Sequence, residues 1–284
     1  MNNLLQRIIT GVLGSAFMLT AIWFSYTSFV LLFFLINFLS CVEYHRLLKK
    51  SNIGSNMIAG VSGGILVYSL FALSSDEFNI INIPTAILTA ITCVLFMIFM
   101  LIELFSENEQ PISRVAYTIT GILYVSVPFG LLTLIPWEIT NSNNDLSVSV
   151  YQFEIIYAIL FLIWANDVGA YFIGKFFGKH KLFERISPKK TWEGSIGGLV
   201  LSILFTFFLY EVFGIYSIPE WIGLCIIVVI TGSLGDLVES MIKRTLQVKD
   251  SGTILPGHGG LLDRFDALIF AIPFVFVYLT IINN

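Results

Sequence analysis

Charge is scarce in this chain. Lysine, arginine, aspartate and glutamate supply 12% of its 284 residues, against 56% apolar types, and the mean hydropathy is +0.87. A soluble domain carries about 25% charged residues, so the shortage excludes an ordinary soluble enzyme and leaves the membrane class. Cysteine is almost missing too. Cys41, Cys93 and Cys225 stand singly in apolar stretches, a spacing that fits neither a disulfide framework nor a metal cluster and reads as three small hydrophobes. There is no GxxxxGK[ST] loop, which excludes a P-loop nucleotidase. No fixed-period repeat, low-complexity tract or soluble insert interrupts the sequence. The apolar run after Arg7 has no small-residue cleavage site and is expected to be a first membrane helix rather than a cleavable signal. The net charge of −4 says little about partners, and no nucleic acid is expected among them.

What is abundant is apolar length. A spanning helix needs roughly 20 largely apolar residues, and nine stretches approach that scale: 8–24, 27–44, 57–75, 84–105, 115–136, 153–174, 194–213, 219–238 and 265–282. The break between the first two rests on "SYTS", Ser25 to Ser28. The expected fold is an all-α polytopic integral membrane protein of about nine helices. It forms a single membrane domain over 1–284, with N-terminal helices in 1–150 and the chemistry in 151–284.

Basic residues fix the expected orientation. With a cytoplasmic N-terminus, Arg7 precedes the first span, and Arg46, Lys49, Lys50 and then Arg114 follow the second and fourth. Lys175, Lys179, Lys181, Arg185, Lys189 and Lys190 follow the sixth. Lys243, Arg244, Lys249 and Arg264 follow the eighth. All 15 Lys and Arg then lie inside, as the positive-inside bias requires. The protein is expected in the cytoplasmic (inner) membrane, with any chemistry facing the cytoplasm.

Two of these inner connectors carry more than topogenic charge. The eighth span ends "TGSLGDLVESMIKR", where Asp236, Glu239 or Ser240, and Lys243 share one helical face. An ionisable group at that depth is costly and by default functional; the bland alternative for Asp236 is an ion pair with a neighbouring helix. "KDSGTILPGHGGLLDRFDAL" follows. Its glycines Gly257, Gly259 and Gly260 permit close main-chain approach and an anion-binding turn. Asp263 and Asp266 then lie one turn apart at the start of the last helix, where capping alone would explain each of them. It would not explain why Lys243, Arg244, Lys249, Asp250, His258 and Arg264 gather beside them.

The other connector, "WANDVGAYFIGKFFGKHKLFERISPKKTWEGSIGG", places Asn166 and Asp167 inside the sixth span. It places Ser187, Lys189, Lys190 and Thr191 just before the seventh, with Thr191 and Glu193 suited to cap that helix. Carboxylates and bases together suggest phosphates held by Mg²⁺, which takes one or two carboxylates plus phosphate oxygens and water, and by Lys and Arg. Zinc is not expected, because His258 has no partner at ligand spacing.

"SMIKRTLQVKDSGTILPGHGGLLDRFD" resembles the signature of bacterial phosphatidate cytidylyltransferases, also called CDP-diacylglycerol synthases. Its fixed positions are met by Ser240, Lys243, Arg244, Lys249, Asp250, Gly252, Pro256, His258, Gly259, Gly260, Asp263, Arg264 and Asp266. "NDVGAYFIGKFFGKHKL" and "SPKKTWEG" resemble a second block of that family, and neither block departs from the pattern. The resemblance implies transfer of CMP from CTP to phosphatidate, giving CDP-diacylglycerol and pyrophosphate. It implies a metal centre at Asp236 and Asp263, Mg²⁺ as the divalent ion, an associated K⁺, and a homodimer in the lipid bilayer. Lys243, Arg244, Asp250 and His258 would join the two aspartates in catalysis. Asn166, Asp167, Ser187, Lys189, Lys190, Thr191, Lys249, Gly259, Gly260 and Arg264 would bind substrate. The alternatives are a related CTP-dependent lipid-phosphate enzyme (another lipid cytidylyltransferase or a polyprenol kinase) and a cation-coupled transporter with ion sites at Asp167 and Asp236.

Overall fold

The computed structural model describes residues 3–75, 85–106, 109–141, 147–252 and 259–283. The chain divides into two compact units, Met1–Tyr151 with Asp250–Leu262, and Gln152–Lys249 with Asp263–Asn284.

The first unit contains α1 (Asn3–Phe24), α2 (Tyr26–Lys50), α3 (Met57–Leu73), α4 (Thr85–Leu104) and α5 (Pro111–Leu132), followed by the hairpin β1 (Trp137–Asn141) and β2 (Ser147–Tyr151). The expected break at "SYTS" falls on one residue. Ser25 caps α2, its side chain accepting from Ser28 N at 3.1 Å while the Ser28 hydroxyl returns the favour to Ser25 N, a capping box that ends one helix and starts the next. α2 runs through the core of this unit, burying Phe29, Phe33, Asn37, Cys41 and Glu43. Its polar groups find partners on neighbouring helices: Asn37 Nδ2 donates to Gly64 O at 3.5 Å, and Cys41 Sγ lies 3.1 Å from Ser126 Oγ. Ser126 closes a π-helical turn, Ile122–Ser126, inside α5. Across the unit, Tyr68 OH donates to Val30 O at 2.8 Å and Tyr26 OH to Thr133 O at 3.1 Å.

The second unit contains α6 (Phe153–Phe177), the hairpin β3 (Lys181–Phe183) and β4 (Ser187–Thr191), α7 (Trp192–Phe213), α8 (Ile218–Thr245) and α9, which begins at Leu262 and ends at Ile282. Small residues let α6 and α7 approach closely, as membrane helices do: a methyl on Gly169 would meet Gly198 Cα at 3.0 Å.

Among the described residues six helices are long and apolar enough to cross a membrane: α2, α5, α6, α7, α8 and α9. α1, α3 and α4 contribute shorter apolar stretches, Ile9–Phe24, Met57–Leu73 and Val94–Leu104. Large apolar side chains such as Phe17, Leu31, Leu204 and Phe208 are exposed along them, which a water-soluble surface would not tolerate in such number. The protein is therefore a helical, polytopic membrane protein.

The structure departs from the sequence reading in two ways. The two hairpins were not expected in an all-α chain. Several helices also outrun their apolar windows: α2 continues to Lys50, α6 to Phe177 and α8 to Thr245. Their extra turns carry Lys49 and Lys50, Lys175, and Lys243 and Arg244. A hydropathy window stops where charge begins, but a helix does not, and cations suit its C-terminal end.

Candidate functional site

α6 is the first wall of the site. Asn166 is buried, and its Nδ2 donates to Ser233 Oγ on α8 at 3.2 Å. Its Oδ1 is buried without a hydrogen-bond partner and lies where any side chain at Gly198 would have to go. Asp167 follows on the open side. The β3–β4 hairpin then carries the chain back toward α7, whose start is fixed by two side chains. Thr191 Oγ1 accepts from Gly194 N at 3.2 Å, a regular N-cap. Glu193 reaches back to accept from Lys179 N at 3.1 Å and pairs with His180 Nδ1 at 2.6 Å. Thr191 thus caps the helix, whereas Glu193 is spent on the turn before β3. The pairing of His180 with Glu193 was missed, since the intervening hairpin sets them thirteen positions apart and hides it from sequence spacing.

α8 brings the opposite wall. Lys190 Nζ sits 2.6 Å from Asp236 Oδ2 and 3.4 Å from Ser233 O. Ser240, one turn on, donates to Asp236 Oδ1 at 3.3 Å. The ion pair considered for Asp236 does exist, but its base comes from β4 rather than from a membrane helix. Asn166, Asp167, Lys175, Lys189, Lys190, Thr191, Ser233 and Asp236 all line one cavity of about 360 Å³. Asp167 is within electrostatic reach of Asp236 and Lys190, and Asp266 on α9 within reach of Asp236, Asp167 and Lys243. α8 and α9 can bring Asp236 and Asp266 together because Gly235 lies between them; a methyl there would be 2.6 Å from both Asp266 O and Phe270 Cβ.

Two turns beyond Asp236 on α8, Lys243 bridges two carboxylates. Its Nζ pairs with Glu239, which is buried, and with Asp263 Oδ1 at 2.6 Å. Arg244 is exposed, and its Nε donates to Ile186 O at 3.4 Å, tying the end of α8 to the hairpin. Ser187 begins β4 and is half-buried; Lys249 and Arg264 are exposed.

The glycine loop belongs to the first unit. Asp250 is exposed, Gly259 has φ +87°, and Gly260 is buried. His258 lies outside the described residues. Gly259 meets the expectation that only glycine suits this turn. Sequence reasoning missed what the loop rests on. Glu43, from α2, is buried and its Oε2 accepts from Leu262 N at 2.9 Å. The signal was present as an acid in an otherwise apolar span, "SCVEYHR".

Among the described residues no group of three or more His, Cys, Asp or Glu is gathered tightly enough to hold an ion by itself. Mg²⁺ does not require such a cage, since it uses one or two carboxylates and completes its shell with phosphate oxygens and water. Asp236 fits that share. Its oxygens open on the cavity beside Asp167, and the mutual repulsion of the neighbouring carboxylates is opposed there by Lys190. Asp263, the other expected ligand, is engaged by Lys243.

These features define a class: a polytopic membrane protein with a charged cavity set among its apolar helices. The particular family follows from comparison. The chain belongs to the cytidylyltransferase family, whose sequence model matches residues 5–282. It is 32% identical over its whole length to the full phosphatidate cytidylyltransferase of Bacillus subtilis. It is 31% identical to that of Staphylococcus haemolyticus, over 96% of this chain and 98% of the relative. With that of Staphylococcus aureus strain COL the identity is 33%, over 86% of this chain and 87% of the relative.

Proposed function

We propose that the protein transfers CMP from CTP to phosphatidate, producing CDP-diacylglycerol and pyrophosphate for phospholipid synthesis. The observation that carries this reading is the cavity in which Lys189 and Lys190 face Asp167 and Asp236, in a chain related over its full length to enzymes of that name. Membership of this family favours an enzyme over the cation-coupled transporter.

A phosphate oxygen of phosphatidate attacks the α-phosphorus of CTP. A new P–O bond forms, the bond from the α-phosphorus to the bridging oxygen breaks, and pyrophosphate leaves with that electron pair. The lipid phosphate is already a nucleophile, so the chain need not supply one. Its task is to bring anions together and hold them. Lys189 and Lys190 are suited to the triphosphate, and Lys190 can exchange Asp236 for a phosphate oxygen as substrate enters. Lys249, Gly259, Gly260 and Arg264 complete the binding set that the signature implies, while Arg244 at the end of α8, with Lys243, Asp250 and His258, belongs to its catalytic set and is suited to meet phosphate. Asp236, with Asp263 as the second ligand in the family pattern, would hold Mg²⁺; when bound, Mg²⁺ neutralises phosphate charge and stabilises the departing pyrophosphate. K⁺ is carried by the resemblance alone and is given no step.

Nine spans with the N-terminus inside form part of the same proposal, as do an inner-membrane location with a cytoplasmic site and a homodimer. The distribution of bases supports the orientation: α2, α6 and α8 carry bases in the last turn and α1, α3, α4, α7 and α9 carry none there, while Arg114, which follows α4, lies in the first turn of α5. The test is direct. Purified protein given labelled CTP, phosphatidate and Mg²⁺ should form a labelled CDP-lipid and release pyrophosphate. A γ-labelled phosphate appearing on the lipid would instead identify a kinase.

A further inference from the structure

Glu43 is the deepest charged residue of α2 and has no role in the reaction as described above. Its surroundings are unusual. Its carboxylate meets both ends of the glycine loop, at Gly252 and at Gly260 and Leu262, far away in sequence. On one side of the loop, a methyl on Gly252 would find its three nearest atoms all in Glu43, the first being Oε1. On the other side, a methyl on Gly260 would meet the same oxygen and Ser251 Oγ. Between these contacts Oε2 accepts the main-chain N–H of Leu262 at 2.9 Å. A side chain at either glycine would have to displace this carboxylate. An acid only 2% exposed in an apolar unit is costly unless it is held by hydrogen bonds, and the main chain of the loop supplies one.

We infer that Glu43 is a positioning residue for cytidylyl transfer: its carboxylate is the post around which both ends of the glycine loop are set. The loop carries Asp250, Gly259 and Gly260, so Glu43 determines where those groups stand without touching substrate. The inference rests on the reading of the loop as part of a CTP-dependent site. Loss of a hydrogen bond to a charged group is typically worth about a 10- to 100-fold change, and that is the size of effect expected in kcat/KM.

Glu43→Ala should lower kcat/KM for CTP about 10- to 100-fold, and Glu43→Gln, which keeps an acceptor in place, should recover most of it. Gly252→Ala should be damaging in the native background and should add little in Glu43→Ala, because the atoms it strikes have gone. Amide hydrogen exchange, measured on the full-length protein in detergent without substrate, provides a readout independent of turnover. Glu43→Ala should speed exchange in the 259–262 segment while leaving the peptides of α6 and α8 unchanged. Unchanged kcat/KM in Glu43→Ala would overturn the inference, as would equal costs of Gly252→Ala in both backgrounds. A general melting of α2 in Glu43→Ala with no recovery in Glu43→Gln would overturn it as well, by showing a purely structural acid. If even the native protein makes no CDP-lipid, the enzyme reading fails. The exchange result then shows separately whether Glu43 holds the loop.

Discussion

Asp236 and Lys243 lie two turns apart on one face of α8, yet the structure gives them different work. Asp236 opens on the cavity and pairs with Lys190. Asp236→Asn keeps the shape and removes the charge, so turnover should fall by at least about 100-fold while the protein still folds; near-normal turnover at limiting Mg²⁺ would remove Asp236 from the metal site. Lys243 is instead closed in, its side chain only 17% exposed between Glu239 at 4% and Asp263 at 9%. Removing one partner of a buried ion pair leaves charge uncompensated and costs about 3 kcal/mol or more. Lys243→Ala should therefore lower the thermal midpoint in detergent, whereas Lys249→Ala, at an exposed position, should not. Equal midpoints for the two variants would return Lys243 to a purely catalytic role.

Between elements, the site depends on spacings that only glycine permits. Gly235→Ala adds one methyl between α8 and α9 and alters no charge, but it must push Asp266 and Phe270 away from Asp236. Turnover should drop although the variant inserts and keeps every ionisable group; unaltered kinetics would mean that the α8–α9 spacing is irrelevant to the chemistry. Such dependence explains what the sequence could and could not reveal. Asn166, Asp167, Lys189, Lys190 and Asp236 were legible because charge in an apolar span stands out locally, and they do line one cavity. The Thr191 cap was legible because N-capping is decided within one turn. The β3–β4 hairpin was not, because "KLF" and "SPKKT" show no two-residue apolar period, whereas "SVSVY" in β2 does alternate and was a signal passed over. Nor were Glu43 beneath the glycine loop and His180 against Glu193, because both pairings are made by tertiary packing.

For the molecule as a whole, the decisive quantity is which side of the membrane the end of α8 faces. CTP is made in the cytoplasm, and a triphosphate cannot cross the hydrocarbon core because its charges would lose their water. The bases of α2, α6 and α8 gather at the C-terminal ends of those helices, so the nine-span reading puts that end of α8 inside. Thr245, the last residue of α8, is exposed and is assigned no part in the site. Ser251, six residues on, is buried and would make a poor reporter. In a protein lacking Cys41, Cys93 and Cys225, Thr245→Cys should react with an impermeant thiol reagent in inverted membrane vesicles and stay unlabelled in intact cells. Added CTP with Mg²⁺ should slow that labelling, since Arg244 beside it is expected to hold phosphate. Labelling from outside intact cells would overturn both the orientation and the access route for CTP, and with them the proposed reaction.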